Sequence, residues 1–417
     1  MDRYLDEQVL ALGEKLTQRL VALAGFPTVS GKEYDAQQYI CEQLKALQCD
    51  QIDVWDPDIE SMRGHEAFVS SRNDFAGSPN VVGTWKGSGG GRSLIVNAHI
   101  DVVPPGDESE WTVPPFAGTV RNGRIFGRGV SDMKCAHAAL LTCVEALHKA
   151  GRRLRGDLIF QSVIEEETGG AGTLSCALRG YRADGALIPE PVHMALCPAQ
   201  QGVLYFRVHV TGKAGHGGER YLGVSAIEKA AFVLEALGEL ERRRGEEWNH
   251  PLYREVPIPF TINVGTIQGG AWPSMVPEHV AFEGRMGVAP GETLQQARRS
   301  MEDFLAGLEE RDPWFREHPP QVEWLPNRLY SAQIPEDHPL VDTAKAAFAQ
   351  VMQWQPQMAG TAFGTDASVL TNFAGTPTLV FGPGSVAHCA DESIAVDTLL
   401  DYTRVMAQLI ADWCGSD

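Results

Sequence analysis

Apolar positions repeat at helical spacing over residues 5–24 and again over 33–47, with a turn at Gly25-Phe26-Pro27 between them. Residues 80–85 and 94–97 read as strands, the second opening with the wholly apolar Leu94-Ile95-Val96. The spacing over 134–150 predicts a helix that stops at Gly151. Residues 158–164 form a continuous apolar run, and 186–188 form another just before Pro189-Glu190-Pro191. Helices alternating with buried strands predict an α/β domain around a mixed central sheet with a parallel centre.

The pattern changes near Gln201. Residues 203–210 alternate like a strand with one wet face, and a helix is predicted over 225–244. Strands at 260–267 and 275–286, a helix over 293–310 and a strand at 321–324 follow. This β-α-β-β-α-β order predicts an inserted α+β two-layer, ferredoxin-like domain over 201–326. After it come a helix over 339–352, a strand over 378–381 and Gly382-Pro383-Gly384. The expectation is therefore one catalytic, metal-binding domain in two pieces, 1–200 and 327–417, around the insert. No internal repeat or low-complexity tract interrupts it.

Composition narrows the class. A chain of 417 residues suits two domains, and 43% hydrophobic with 21% charged residues is the balance of a globular enzyme. No apolar run approaches the length of a membrane span. The start, Met1-Asp2-Arg3-Tyr4-Leu5-Asp6-Glu7, lacks a basic head followed by an apolar stretch, which argues against a secretory signal. A net charge of −19 argues against nucleic acid and anionic membrane as partners. Eight scattered cysteines without C-x-x-C spacing fit a reduced, cytoplasmic protein.

Candidate chemistry sits where predicted strands end. His99 closes the run from Leu94, with Asp101 two residues on, which suits a metal ligand and the group that orients it. Asp132 lies in Gly127-Arg128-Gly129-Val130-Ser131-Asp132-Met133-Lys134, Glu167 in Glu165-Glu166-Glu167-Thr168-Gly169-Gly170, Glu190 between two prolines, and His388 near the end. Ligands at strand C-termini converge on one rim of an α/β sheet. Three carboxylates and two histidines suit zinc or another first-row divalent ion. Two ions about 3.5–4 Å apart need a bridging carboxylate, and the short Asp132 in its glycine-flanked loop fits that need. Singly, each residue has a plainer reading as a solvated acid or a hydrogen-bonded loop histidine. Three consecutive acids ending a buried strand, however, need a cation to compensate them.

Together these segments resemble the co-catalytic zinc amidohydrolases and peptidases that include acetylornithine deacetylase, succinyl-diaminopimelate desuccinylase and glutamate carboxypeptidase. The resemblance rests on Asn97-Ala98-His99-Ile100-Asp101-Val102-Val103-Pro104, residues 127–134, Glu166-Glu167-Thr168-Gly169, Pro189-Glu190-Pro191, Gly215-His216-Gly217-Gly218, Gly364-Thr365-Asp366-Ala367, and Gly382-Pro383-Gly384 with Ala387-His388. It implies that Asp132 bridges two ions, that His99 and Glu190 complete one site, and that Glu167 and His388 complete the other. It further implies that Asp101 orients His99, that Glu166 is the general base, and that the bond after Asp132 is a cis peptide.

In the insert, the resemblance implies that His216 reaches the partner subunit's site and stabilises the oxyanion, and that Arg285 binds a substrate carboxylate. It adds Ser274, Gly364 and Thr365 as substrate-binding positions. Ser274 is a departure, standing where many members carry Asn. A homodimer formed through the insert, acting as a lid, is implied as well. The ions would be two divalent metals, zinc first, with cobalt or manganese as alternatives.

These residues together favour hydrolysis of a linear amide in a small-molecule substrate, an N-acyl amino acid or short peptide. A hydroxide shared by two zinc ions would form near a pKa of about 7, and Glu166 would take its proton and pass it to the leaving amine. An N-acyl amino acid deacylase is the first expectation. A metallo-dipeptidase or carboxypeptidase, a deformylase of an N-formyl amine, and a metal-free binding protein of the same fold are the alternatives.

Overall fold

A computed structural model describes residues 2–384 and 387–417. The chain divides into two compact units. The first holds residues 1–199, 333–359 and 365–417, and the second holds 200–332 together with 360–364.

The first unit is built on a nine-stranded mixed sheet. Its spatial order begins Gln51–Trp55, Asn80–Trp85, Leu158–Val163, Leu94–His99, Gly185–Ile188, Thr378–Val380. The centre is parallel. Leu94–His99 runs parallel to both Leu158–Val163 and Gly185–Ile188, and Thr378–Val380 runs parallel to Gly185–Ile188. Asn80–Trp85 and Gln51–Trp55 continue it antiparallel. Leu94–His99 and Leu158–Val163 are buried at every position, as strands covered on both faces must be. A parallel pair needs a long crossover, and the buried helix Lys134–Lys149 lies between these two strands in sequence.

This topology has one consequence for chemistry. His99 lies opposite Val163, so the carboxyl ends of neighbouring strands share one rim. Residues 165–167, 190 and the segment after Val380 all leave the sheet at that rim. The mixed α/β expectation is met.

Several elements differ from the sequence pattern. The single helix over 5–24 is two, Arg3–Ala11 and Gly13–Ala24, because Leu12 adopts φ −96° and ψ 4° and breaks the hydrogen-bond ladder. The predicted strand over 275–286 is Met275–Val276 and His279–Val288, since Pro277 between them offers no N–H to a ladder. Helix Leu294–Ala306 ends before a separate tight turn, Gly307–Glu310. Helix Val396–Cys414, with a buried stripe from Leu399 to Trp413, is not among the predicted elements.

The second unit is a four-stranded antiparallel sheet in the order Ile262–Gly269, His279–Val288, Gly202–Thr211, Gln321–Leu329. Helices Ala226–Glu247 and Leu294–Ala306 pack on one face. Leu204, Phe206, Val208, Val233, Phe282 and Met301 form the core there. Chain order and spatial order together are those of a ferredoxin-like sandwich. A two-stranded ribbon, Gly215–His216 with Met275–Val276, completes the unit. Among the described residues no helix is long and apolar enough to cross a membrane.

Candidate metal centre

His99 ends its strand and is 2% exposed. Its Nδ1 lies 2.8 Å from the main-chain oxygen of Asp101 and 3.7 Å from that residue's Oδ1. The ring is therefore oriented mainly by the backbone of the residue expected to hold it with a carboxylate. The Asp101 carboxylate instead accepts the N–H groups of Glu166 at 3.3 Å and Glu167 at 3.2 Å. One residue thus ties the His99 strand end to the loop after the neighbouring strand.

His99 Nε2, left free to face the centre, lies 3.1 Å from Asp132 Oδ1. The other Asp132 oxygen lies 3.3 Å from His388 Nε2, and His388 is also 3.1 Å from Glu167 Oε2. Ligand atoms of His99, Asp132 and Glu167 cluster within 4.8 Å of one another, as do those of His99, Glu166 and Glu190. The peptide between Asp132 and Met133 is cis, as the resemblance implies.

Electrostatics asks for a cation here. Among the described residues no lysine or arginine is ion-paired with Asp132, Glu166, Glu167 or Glu190; the two histidines are the only basic partners. Burial and the neighbouring acids raise the carboxyls of Glu166 and Glu190 well above the usual range. Burial also opposes ionisation of Asp132, but hydrogen bonds from His388 and His99 outweigh it and hold the carboxyl low. Hydrogen bonds to Asp132 and Glu167 push the His388 imidazole up to about 10. Glu190 Oε1 is buried with no hydrogen-bond partner. Leaving a buried carboxylate uncompensated costs on the order of several kcal/mol. The mixed N/O donor set and that orphaned oxygen fit a divalent ion.

The other predicted positions divide between the two units. His216, Ser274, Arg285 and Gly364 belong to the second unit and Thr365 to the first. His216 is exposed, and its Nδ1 accepts the Gly218 N–H at 3.1 Å, which leaves Nε2–H as a donor. Ser274 holds that loop through its main-chain oxygen, 2.7 Å from the Gly217 nitrogen. Arg285 Nε and Nη2 are buried without a partner. Thr365 is 1% exposed, and its Oγ1 accepts the Ala367 N–H within its own turn.

Three features escaped the sequence. Glu165 needs no metal to compensate it. It is fully buried, pairs with Arg72 at 3.3 Å, and accepts hydroxyls from Ser30, Ser70 and Thr168. Asp366, 2% exposed, accepts Thr173 Oγ1 at 2.6 Å, and Asn97 donates to that hydroxyl at 2.8 Å. Glu392, fully buried, takes the main-chain N–H of Asp132. Arg128, set between two glycines, was the available signal, because a buried arginine requires an acid and Glu392 is that acid.

Comparison with known proteins agrees with this geometry. The model of Peptidase family M20/M25/M40 matches residues 95–412. The chain is 34% identical to an N-formyl-4-amino-5-aminomethyl-2-methylpyrimidine deformylase from Halalkalibacterium halodurans, over 98% of this chain and 97% of that protein. It is 30% identical to an acetylornithine deacetylase from Vibrio cholerae, over 79% of this chain and 83% of that protein. Among solved structures, an M20 family metallo-carboxypeptidase from Sulfolobus solfataricus superimposes with a TM-score of 0.73 at 16% identity, covering 96% of this chain and 99% of that one. The strand-end ligand cluster, the alignment along nearly the whole chain and the shared fold lead to one conclusion: this chain belongs to peptidase family M20/M25/M40 and is a metal-binding hydrolase of the N-acyl amide type.

Proposed function

We propose that this chain removes a formyl group from an amine carrying a flat, pyrimidine-type ring, using two divalent ions held by His99, Asp132, Glu167, Glu190 and His388. Asp132 is the observation that carries the two-ion reading. Its Oδ1 lies 3.1 Å from one ligand histidine and its Oδ2 3.3 Å from the other, the disposition a bridging carboxylate needs. The formyl preference is supported by the deformylase relative, similar along almost the whole chain. Zinc is the first choice of metal for this donor set, with cobalt or manganese able to replace it.

When bound, the ions supply a nucleophile near neutral pH and positive charge beside the scissile carbonyl. Glu166 moves the proton. Its main chain is fixed on Asp101, and its carboxylate, outside the Asp132 and His388 pairs, takes a proton from the attacking water and returns it to the leaving amine. Asp101 and the strand end fix His99, so the base and that histidine keep a set separation. In a homodimer, His216 Nε2–H of the second unit would reach the partner subunit's site and be the donor for the oxyanion there, a type of interaction worth about 3–4 kcal/mol in hydrolases. We assign the chain to a homodimer joined through this unit, and to the reducing cytoplasm, which its eight free cysteines suit.

A second reading, an N-acyl amino acid as substrate, is favoured by Arg285, whose unpaired Nε and Nη2 suit a two-point grip on a carboxylate. One panel decides. The zinc-loaded enzyme is assayed on N-formyl, N-acetyl and N-succinyl derivatives of an aminomethylpyrimidine, on N-acyl amino acids, and on dipeptides. The formyl pyrimidine is expected to exceed the others by at least about tenfold in kcat/KM. Preference for acyl amino acids selects the second reading, and turnover of dipeptides alone overturns both.

A further inference from the structure

Glu392 lies four residues beyond His388 and is fully buried. Its Oε1 accepts the main-chain N–H groups of Ser131 at 2.9 Å and Asp132 at 3.1 Å. Its Oε2 accepts the Gly129 N–H at 3.0 Å and pairs with Arg128 Nη1 at 2.7 Å. Arg128 reaches further. Its Nη2 lies 3.4 Å from the Pro104 oxygen, and its guanidinium stands 5.3 Å from the Trp111 ring centroid. The carboxylate and its arginine thus meet three chain segments that are distant in sequence, those of His99, Asp132 and His388.

We propose that Glu392 is a positioning residue for the two-ion centre, locking the Asp132 loop in register with the His388 segment so that the two oxygens of Asp132 face two different ions. The physical reason is the number and direction of its bonds. Three backbone donors from residues 129–132 converge on one carboxylate, which fixes the loop's orientation as well as its position. Without that anchor, the Asp132 carboxylate is free to turn towards one histidine and leave the other. Arg128 neutralises the buried charge, so the anchor adds no net negative charge to a centre already rich in acids. The inference rests on reading Asp132 and His388 as metal ligands.

The test uses cobalt(II) as the probe. Metal-free protein is titrated with Co²⁺, and stoichiometry, affinity and the visible ligand-field spectrum are recorded for wild type, Glu392→Gln and Glu392→Asp. A matched control is Glu292→Gln in the second unit. Glu292 is also buried, pairs with Arg244 at 2.6 Å and accepts a backbone N–H from Ala289 at 2.9 Å. Loss of a fully structural ion pair is therefore common to both Gln variants.

Glu392→Gln is expected to keep the wild-type far-ultraviolet dichroism, to bind the second cobalt equivalent about 10–100-fold more weakly and to change the spectrum. Glu392→Asp, which keeps the charge on a shorter stem, should fall between it and wild type. Glu292→Gln should bind two equivalents with an unaltered spectrum. Two equivalents with a wild-type spectrum in Glu392→Gln would overturn the inference, as would equal losses in Glu292→Gln. Should Glu392→Gln fail to fold, Glu392→Asp is judged by the same two criteria. Wild-type protein binding fewer than two equivalents would instead overturn the metal reading beneath the inference.

Discussion

Glu166 is held from its own backbone, with its N–H on Asp101, while its carboxylate sits in a group with His99 and Glu190. That division predicts different outcomes for neighbouring acids. Glu166→Gln should lower kcat by about 10²–10⁴ with two metal equivalents retained. Asp132→Ala should lose metal along with activity. Steady-state rates paired with elemental analysis check both, and metal loss in Glu166→Gln would make that residue a ligand rather than a base. His137 gives a stability prediction away from catalysis. It is buried in helix Lys134–Lys149, edge-on to Phe160, with Nε2 2.9 Å from Ser162 Oγ. Burial lowers its pKa from the usual value near 6.5 to about 3. The unfolded chain therefore binds this proton first. Stability is full above about pH 6.5 and falls by up to about 1.4 kcal/mol per pH unit towards pH 3. Denaturant titrations from pH 7 to 5 should show a shallower loss in His137→Gln than in wild type.

At the scale of elements, the centre depends on strand ends and loops approaching closely. Gly384 is one such close approach. A Cβ there would lie 2.4 Å from the Ser131 oxygen and 2.7 Å from Pro191 Cβ. Those neighbours belong to the segments of Asp132 and Glu190, and the Gly384 oxygen also accepts the His193 N–H at 2.9 Å. Gly384→Ala should push two ligand-bearing segments apart. The expected result is a stability loss of about 1–3 kcal/mol and weaker metal binding. Helix Leu294–Ala306 offers a contrast without chemistry. Thr293 and Gln296 form a reciprocal capping box at its start. Thr293→Ala should cost about 1 kcal/mol in denaturant unfolding and leave metal content unchanged.

For the whole molecule, the acid cluster makes metal part of the folding equilibrium. Asp132, Glu166, Glu167 and Glu190 converge with no lysine or arginine paired to them among the described residues. Chelation should lower Tm and added Zn²⁺ should restore it, one site at a hundredfold excess over Kd adding about 2.7 kcal/mol of stability. Calorimetry with and without chelator measures this directly. A Tm indifferent to metal would contradict the reading of this cluster as a cation site. Much of the −19 net charge lies outside this cluster, so high salt alone should not reproduce the effect of metal.

The ordered motifs made the fold class legible in the sequence and singled out His99, Asp132, Glu167, Glu190 and His388, which the structure draws into one cluster, because strand periodicity and strand-end acids are local properties. The ferredoxin-like order of the second unit was legible for the same reason. What the sequence left open was every decision that depends on partners far along the chain. Glu165 reads as part of one acidic run, yet Arg72 and three hydroxyls compensate it, so only Glu166 and Glu167 face the centre. Asp101 reads as the carboxylate that orients His99, yet the backbone oxygen does most of that and the carboxylate holds the next loop. Glu392 carries no signal in the apolar pattern or the motifs, yet it anchors a loop 260 residues away. A charged side chain's role follows from which opposite charges and N–H groups surround it once water is excluded. Periodicity carries no record of those neighbours, and only tertiary packing supplies them.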